Sequence, residues 1–481
     1  MCVDASFERR IIGSLLLVTV AVCMPCFAKD SIPISLHPDN PHYFLWHGKP
    51  TVLITSGEHY GAVLNLDFDY VRYLEELRKH GLNHTRAFSG SYVELPDSYI
   101  TDNPLGPKPS RYTTPWARSE APGYKGGGNK FDLNQWNPAY FNRLKDFMSE
   151  ASRRGVVVEM TLFCTLYDDA RWKLCPMNAE NNINGIGACS RQEVFRLVRG
   201  ELTEVQIAFV RRMAQELRDF DNLFYEVCNE PYIADGVSCE WQQRIVDTLV
   251  EEEKKLGVRH LISMNIANKR AKVEDPDPDV SILNFHYCYP PDTVSLNYHL
   301  GKVIGENETG FRGKEDLFYR TEGWDFILAG GALYNNLDWS FTPSDPEGDL
   351  IDQKAPGGGS REIRKQLGIL KTFIEDFDFV RMLPSAPLIK DVSPVLSVQA
   401  LAEAGKAYAV YLHVPIPANN GDDDIKATLT IELPAGHYNI KWVDTKTGKI
   451  TARDEIRHEG GAYRLLSPSF ANDIALSIRR S

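Results

Sequence analysis

Past residue 28 the sequence has no apolar run long enough for a membrane-spanning helix, no closely spaced cysteine pair, no surplus of basic side chains and no internal repeat. Each absence removes a class of function. A helix that crosses a bilayer needs about 20 apolar residues. Zinc ribbons need CxxC-type spacing. A nucleic-acid binder needs positive surface to meet phosphates, and this chain carries a net charge of −12. Solenoids and propellers need a repeated unit, and none is found.

What is present is an ordinary globular composition, with 43% hydrophobic and 25% charged side chains in 481 residues, enough for one large barrel plus an accessory module. The first residues differ. A polar start ends in Arg9-Arg10, Ile11 to Met24 is almost wholly apolar, and Cys26-Phe27-Ala28 puts small residues where a signal peptidase looks. Residues 1–28 therefore read as a removed secretory signal, which makes the mature protein secreted or periplasmic. Of nine cysteines, six remain: Cys164, Cys175, Cys189, Cys228, Cys239 and Cys288. An oxidising compartment permits the pairs Cys175–Cys189 and Cys228–Cys239, and equally permits free buried thiols.

From about residue 50 to 380 one pattern recurs: a short β-branched apolar run, a polar or glycine-bearing loop, then an amphipathic helical stretch. That alternation predicts parallel βα units. The predicted strands are 51–56, 83–88, 156–163, 223–227, 261–265, 282–286, 302–307 and 332–339. Eight strands in this length suit a closed (β/α)8 barrel over residues 29–384, whose chemistry would sit on the loops at the C-terminal strand ends. From 385 to 481 the character changes to short alternating strands such as Tyr408–His413 and Tyr438–Val443, joined by turns such as Pro434-Ala435-Gly436. These predict a small antiparallel β-sandwich.

Two predicted strands end in carboxylates. The fourth runs Leu223 to Val227 and ends in Asn229-Glu230-Pro231; the seventh ends in Glu308-Thr309-Gly310. Breaking a glycosidic bond takes two carboxyl groups, a protonated acid for the leaving oxygen and a partner on the opposite face of the sugar. Glu306 rivals Glu308, because residues two apart on a regular strand face the same way.

These motifs, with Gly81-Leu82-Asn83-His84-Thr85-Arg86 on the second strand, resemble the clan of retaining glycosidases on (β/α)8 barrels that includes cellulase-like and mannanase-like enzymes. The resemblance spans roughly residues 40–380. It implies hydrolysis of O-glycosidic bonds in oligo- or polysaccharides, with Glu230 as acid/base and Glu308 as nucleophile, carboxyls about 5 Å apart, and no metal or cofactor. It further implies that Arg86 supports the nucleophile, that Asn229 meets the sugar 2-hydroxyl, and that Trp339 forms an aromatic floor under the reacting sugar. His286-Tyr287-Cys288-Tyr289 keeps the clan's sixth-strand histidine, but Cys288 stands where its tyrosine would be, so Tyr287 or Tyr289 orients the nucleophile, with Tyr287 favoured. Glu58 and His59, after the first strand, are candidates for sugar hydroxyls. Trp116 and Trp172, in long loops, either wall a cleft or pack the loops down. The C-terminal segment resembles sandwiches that follow barrels in apiosidase-like bacterial glycosidases. Two other functions fit the same residues: an inactive glycan-binding barrel, and a transglycosylase.

Overall fold

The computed structural model describes residues 32–234, 236–416 and 424–481; the expected signal, residues 1–28, lies outside them. Eight parallel strands follow one another around a sheet: β1 (Leu53–Gly57), β2 (His84–Phe88), β3 (Val157–Cys164), β4 (Leu223–Asn229), β5 (Leu261–Asn268), β6 (Ile282–His286), β7 (Val303–Thr309) and β8 (Leu333–Leu337). β8 pairs back onto β1. Between β1 and β2 the seam is bridged by Asn83, whose Oδ1 accepts from Ile54 N at 3.0 Å and whose Nδ2 donates to Val52 O at 2.8 Å. All eight are buried on both faces or nearly so, which is why they read as continuous apolar runs.

The outer helices follow their predicted spacing. In α1 (Tyr70–Lys79) the buried residues Tyr70, Tyr73, Leu74 and Leu77 form one stripe, and Asp69 caps the start by accepting from Arg72 N. Asn137 caps α2 (Pro138–Arg153), whose proline occupies the first turn. α3 (Gly200–Leu217) and α4 (Cys239–Leu256) follow, the latter capped by Ser238 and stopped at Gly257, φ +71°. The helix between β6 and β7 is short, as the spacing requires: α5 (Asp292–Asn297). α6 (Asp316–Leu328) and α7 (Arg361–Glu375) complete the ring. Among the described residues no helix is long and apolar enough to cross a membrane, and all six cysteines beyond residue 28 are unpaired.

Behind the barrel stand a six-stranded and a three-stranded antiparallel sheet, which bury Val410, Leu412, Leu429, Ile431, Ile440 and Leu476 between them. They dock on α6. Arg320 of α6 donates to both carboxylate oxygens of Asp473, at 2.9 and 2.7 Å. Tyr411 and Thr445 also donate to that carboxylate. Trp324 stacks on Tyr411, centroids 5.3 Å apart.

Candidate active site

The C-terminal strand ends converge on a pocket of about 80 Å³ lined by, among others, His59, Glu94, Tyr167, Asn229, Glu230, Tyr287 and Glu308. A larger cavity of about 570 Å³ lies between α1, α7 and the C-terminal sheet, but its lining, which includes His80, Ile369, Phe373 and Val443, holds the single carboxylate of Asp376 and so no pair of carboxyls. The strand-end pocket is where the chemistry can occur.

Glu308 is held by three donors. Tyr287 Oη donates to its Oε1 at 2.8 Å; Arg86 Nη1 and Tyr60 Oη donate to Oε2 at 3.0 and 3.2 Å. Burial pushes the Tyr60 and Tyr287 phenols well above their ordinary value of 10, so they stay protonated and can only donate to a carboxylate. Of the two tyrosines the sequence left open, Tyr287 makes the contact. Arg86 is buried, and Glu226 on the wall of the barrel accepts from its Nε at 2.7 Å and from Nη2; Asn229 Oδ1 accepts from Nη2 at 2.7 Å. A planar guanidinium clamped on two edges leaves one N–H direction fixed on Glu308.

The expectation that Glu306 shares the face of Glu308 fails. The pairing of β7 with β6 shifts between Glu306, opposite Phe285, and Glu308, opposite His286. This bulge inserts a residue, so both Asn307 and Glu308 turn inward: Asn307 Nδ2 donates to Glu159 and Glu226 inside the barrel. Glu306 is left outside, accepting from Cys288 N at 2.6 Å, and burial together with nearby Glu322 of α6 raises its carboxyl well above the usual range. Gly310 answers for the glycine after Glu308: its φ is +130°, and a Cβ there would lie 2.8 Å from Leu337 O.

Glu230 follows β4 with φ +48°, a left-handed conformation costing a side-chain-bearing residue about 1–3 kcal/mol. Its backbone N–H donates to Asn265 Oδ1 at 3.1 Å. Tyr167 Oη donates to Oε2 at 2.5 Å and in turn accepts from Asn229 Nδ2 at 2.9 Å; His286 Nδ1 lies 3.2 Å from Oε1. Asn229, which lines the pocket, thus has both ends of its amide occupied. An oxygen of Glu230, an oxygen of Glu308 and a nitrogen of His286 all lie within 4.8 Å of one another. These three could share a cation, but Arg86 places a fixed positive charge 3.0 Å from Glu308 and works against one.

A general acid that holds its proton near neutral pH calls for a raised carboxyl at Glu230. The structure reverses the direction: burial does raise it, but the bond and charge from His286, the Tyr167 bond and Arg86 together outweigh burial and lower it. His286 shifts the opposite way. Burial lowers it, and the facing carboxylates Glu308 and Glu230 more than compensate, lifting it above its usual 6.5 despite the opposing charge of Arg86. The two shifts point the same way, towards an imidazolium facing the Glu230 carboxylate.

Two further expectations are overturned. Trp339 is fully buried and donates from Nε1 to Gly310 O at 2.7 Å; Phe311 and Tyr99, at ring distances of 5.3 and 5.6 Å, lie against it, so it supports the pocket wall rather than a sugar. Glu58 turns its carboxylate to the amides of Gly61 and Ala62, at 2.9 and 3.0 Å, and is absent from the pocket lining; burial pushes it up to about 8. The loop tryptophans pack inward: Trp116 against Phe209, and Trp172 donating to Cys189 O. Sequence reasoning missed Tyr60, Glu94, Tyr99, Tyr167, Glu226 and Phe311. Tyr60 and Glu226 had a signal, since both flank quoted motifs; the others sit in long loops with no period to read.

No protein-family profile and no curated protein matches the chain. Solved structures do. A candidate glycoside hydrolase of Bacteroides vulgatus superposes with a TM-score of 0.66 at 16% identity, over 94% of this chain and 83% of its own. A glycoside hydrolase family 5 protein of the same species gives 0.62 at 13% identity, over 93% and 94%. A family 5 mannosidase of Rhizomucor miehei gives 0.50 at 11% identity, over 72% and 99%. At these identities the likeness is one of fold, and it establishes for this chain a (β/α)8 barrel followed by antiparallel sheets.

Proposed function

We propose that the protein is an exported glycoside hydrolase acting on poly- or oligosaccharides by retaining double displacement, with residues 1–28 as its signal, 29–384 as the catalytic barrel and 385–481 as an accessory sandwich. The observation that carries this reading is the spacing of Glu230 and Glu308, with oxygens within 4.8 Å. Retaining enzymes hold their carboxyls about 5–5.5 Å apart, whereas inverting ones need about 6.5–9.5 Å to admit a water.

The donors support a division of roles. Glu308, its plane fixed by Arg86, Tyr60 and Tyr287, attacks the anomeric carbon as the carboxylate. The bond to the leaving oxygen breaks while Glu230 delivers a proton to that oxygen. Glu230 receives this proton from His286 Nδ1 across their 3.2 Å contact, leaving a neutral imidazole. In the second step Glu230 takes a proton from water, the hydroxide displaces Glu308 from the sugar, and the trio regains its starting proton. Two inversions give retention. The direct test incubates the mature protein with polysaccharides and aryl β-glycosides beside Glu230→Gln: product from the wild type alone supports the reading, and equal product from both refutes it.

Two outcomes follow from these roles. Glu230→Ala should lose about 10²–10⁴-fold in rate on substrates with poor leaving groups. On a 2,4-dinitrophenyl glycoside, which needs no acid, added azide should restore turnover and give a glycosyl azide of retained configuration by NMR; an inverted product would contradict the assignment. For pH, the trio must hold one proton, and the facing carboxylates raise His286 above its usual 6.5. The alkaline limb of kcat/KM should therefore lie above that value, activity falling as pH rises through it. A profile still rising at about pH 9 would contradict the proton's placement.

A further inference from the structure

The pocket, at about 80 Å³, is small against the roughly 300–1,000 Å³ of common ligand clefts and gives no room for a run of sugar rings. One of its walls is the segment after β2, residues 89–115, and that wall is tied down on both sides. Asn65 Nδ2 donates to Pro104 O at 3.0 Å, and Gly61 lies so close beneath that a Cβ would stand 2.2 Å from the Pro104 carbonyl. On the other side Thr101 N donates to Asp352 at 2.7 Å, and Ser344 N donates to Asp102 at 2.9 Å, linking the wall to the segment after β8. A continuous groove would have to pass through these contacts.

The wall carries chemistry that the displacement at Glu230 and Glu308 does not use. Glu94 is 4% exposed and lines the pocket; Asn103 Nδ2 fixes its Oε2 at 2.6 Å, and its Oε1 lies 3.8 Å from His59 Nε2 and 3.5 Å from Tyr92 Oη. His59 lines the same pocket, is 6% exposed, and its Nδ1 has no hydrogen-bond partner. Burial lowers His59 to about 4, so the ring is neutral at physiological pH and offers one donor and one acceptor. The unpartnered Nδ1 is costly to leave buried, and the imidazole and carboxyl side by side match adjacent sugar hydroxyls, each of which both donates and accepts. Tyr99 and Phe311, both about 40% exposed and edge-to-face at 5.9 Å, stand at the rim as a surface for the sugar's apolar face.

We propose that Glu94 and His59 form the blind end of the pocket and read the hydroxyls of a chain-terminal sugar, so that the protein releases single residues from chain ends. This rests on the glycosidase reading. The experiment uses the mature full chain, with linear β-1,4-linked gluco-, manno- and xylo-oligosaccharides and the matching 4-nitrophenyl β-glycosides as probes, each offered to wild type, Glu94→Gln and His59→Ala. Monosaccharide should be the first product. Glu94→Gln should raise KM by about tenfold or more while kcat changes less, as expected when a buried partner of a substrate hydroxyl is altered. On the deoxy glycoside lacking the hydroxyl that Glu94 meets, the variant and wild type should have the same KM, which a merely structural defect would not produce. Longer oligosaccharides as first products, or an unchanged KM in both variants, would overturn the end-reading and leave the roles of Glu230 and Glu308 intact. Cleavage by no form of the protein, on any of these substrates, would overturn the glycosidase reading itself.

Discussion

Glu308→Ala should lower kcat/KM by more than about 10⁴-fold, some 5 kcal/mol of transition-state stabilisation, because no other group can attack the anomeric carbon from that face. The loss should be in kcat. Small nucleophiles should enter the space left by the side chain: azide with an activated aryl glycoside should give a glycosyl azide of inverted configuration, one displacement replacing two. Glu306→Gln is the control. Glu306 faces Glu322 outside the barrel and accepts from Cys288 N, a bond the glutamine oxygen can keep, so its turnover should stay within a few-fold of wild type. Full activity in Glu308→Ala with loss in Glu306→Gln would reverse the assignment and would mean that the bulge at Asn307 does not form.

Glu226→Ala should destabilise the protein by about 3–5 kcal/mol, the cost of breaking a buried ion pair by removing one of its members. Arg86 is enclosed in the barrel, and Glu226 takes two of its donors. The measurement belongs at pH 8, above the value of about 7 to which burial pushes the Glu226 carboxyl, where the pair is ionised. Denaturant unfolding gives the difference as a shift of the midpoint. A second variant separates charge from packing: Arg86→Met with Glu226→Leu removes both charges, and should recover most of the stability because neither is left unpaired. Activity should not return with it, since Glu308 then lacks its guanidinium. If the single and double variants unfold at the same denaturant concentration, the Arg86–Glu226 pair is not what holds this part of the barrel.

The barrel was legible because parallel strands buried on both faces must be continuous apolar runs, and because helices that shield them must carry a stripe; Tyr70, Leu74 and Leu77 could be read directly. Asn229-Glu230-Pro231 and Glu308-Thr309-Gly310 were legible for the same reason, since the end of a barrel strand is where side chains meet the mouth. What strand periodicity could not reveal was departure from periodicity. Glu306 and Glu308 are equivalent on a regular strand, and only the shifted register against β6 turns one outward and the other to Arg86. Trp339 and Glu58 misled for a related reason. An aromatic or a carboxylate beside a strand end can face the mouth or the structure that supports it, and the choice falls to neighbours distant in sequence: Gly310 for the tryptophan, and a backbone turn at Gly61-Ala62 for the glutamate.

The electrostatic sign at Glu230 lay further out of reach. Burial alone predicts a raised carboxyl, and that much composition and strand position can supply. The direction is set by an imidazole from β6 placed 3.2 Å away, by the hydroxyl of Tyr167 and by a guanidinium from β2, which together outweigh burial. By itself the sequence determined the order of strands and helices, the carboxylates at two strand ends and the change of architecture near residue 385, because these follow from local hydrophobic pattern and turn chemistry. Tertiary structure alone decided which glutamate on β7 enters the pocket, which way the Glu230 carboxyl shifts and which loop residues line the pocket beside it, because each depends on distances of a few ångströms between segments that only the closed barrel brings together.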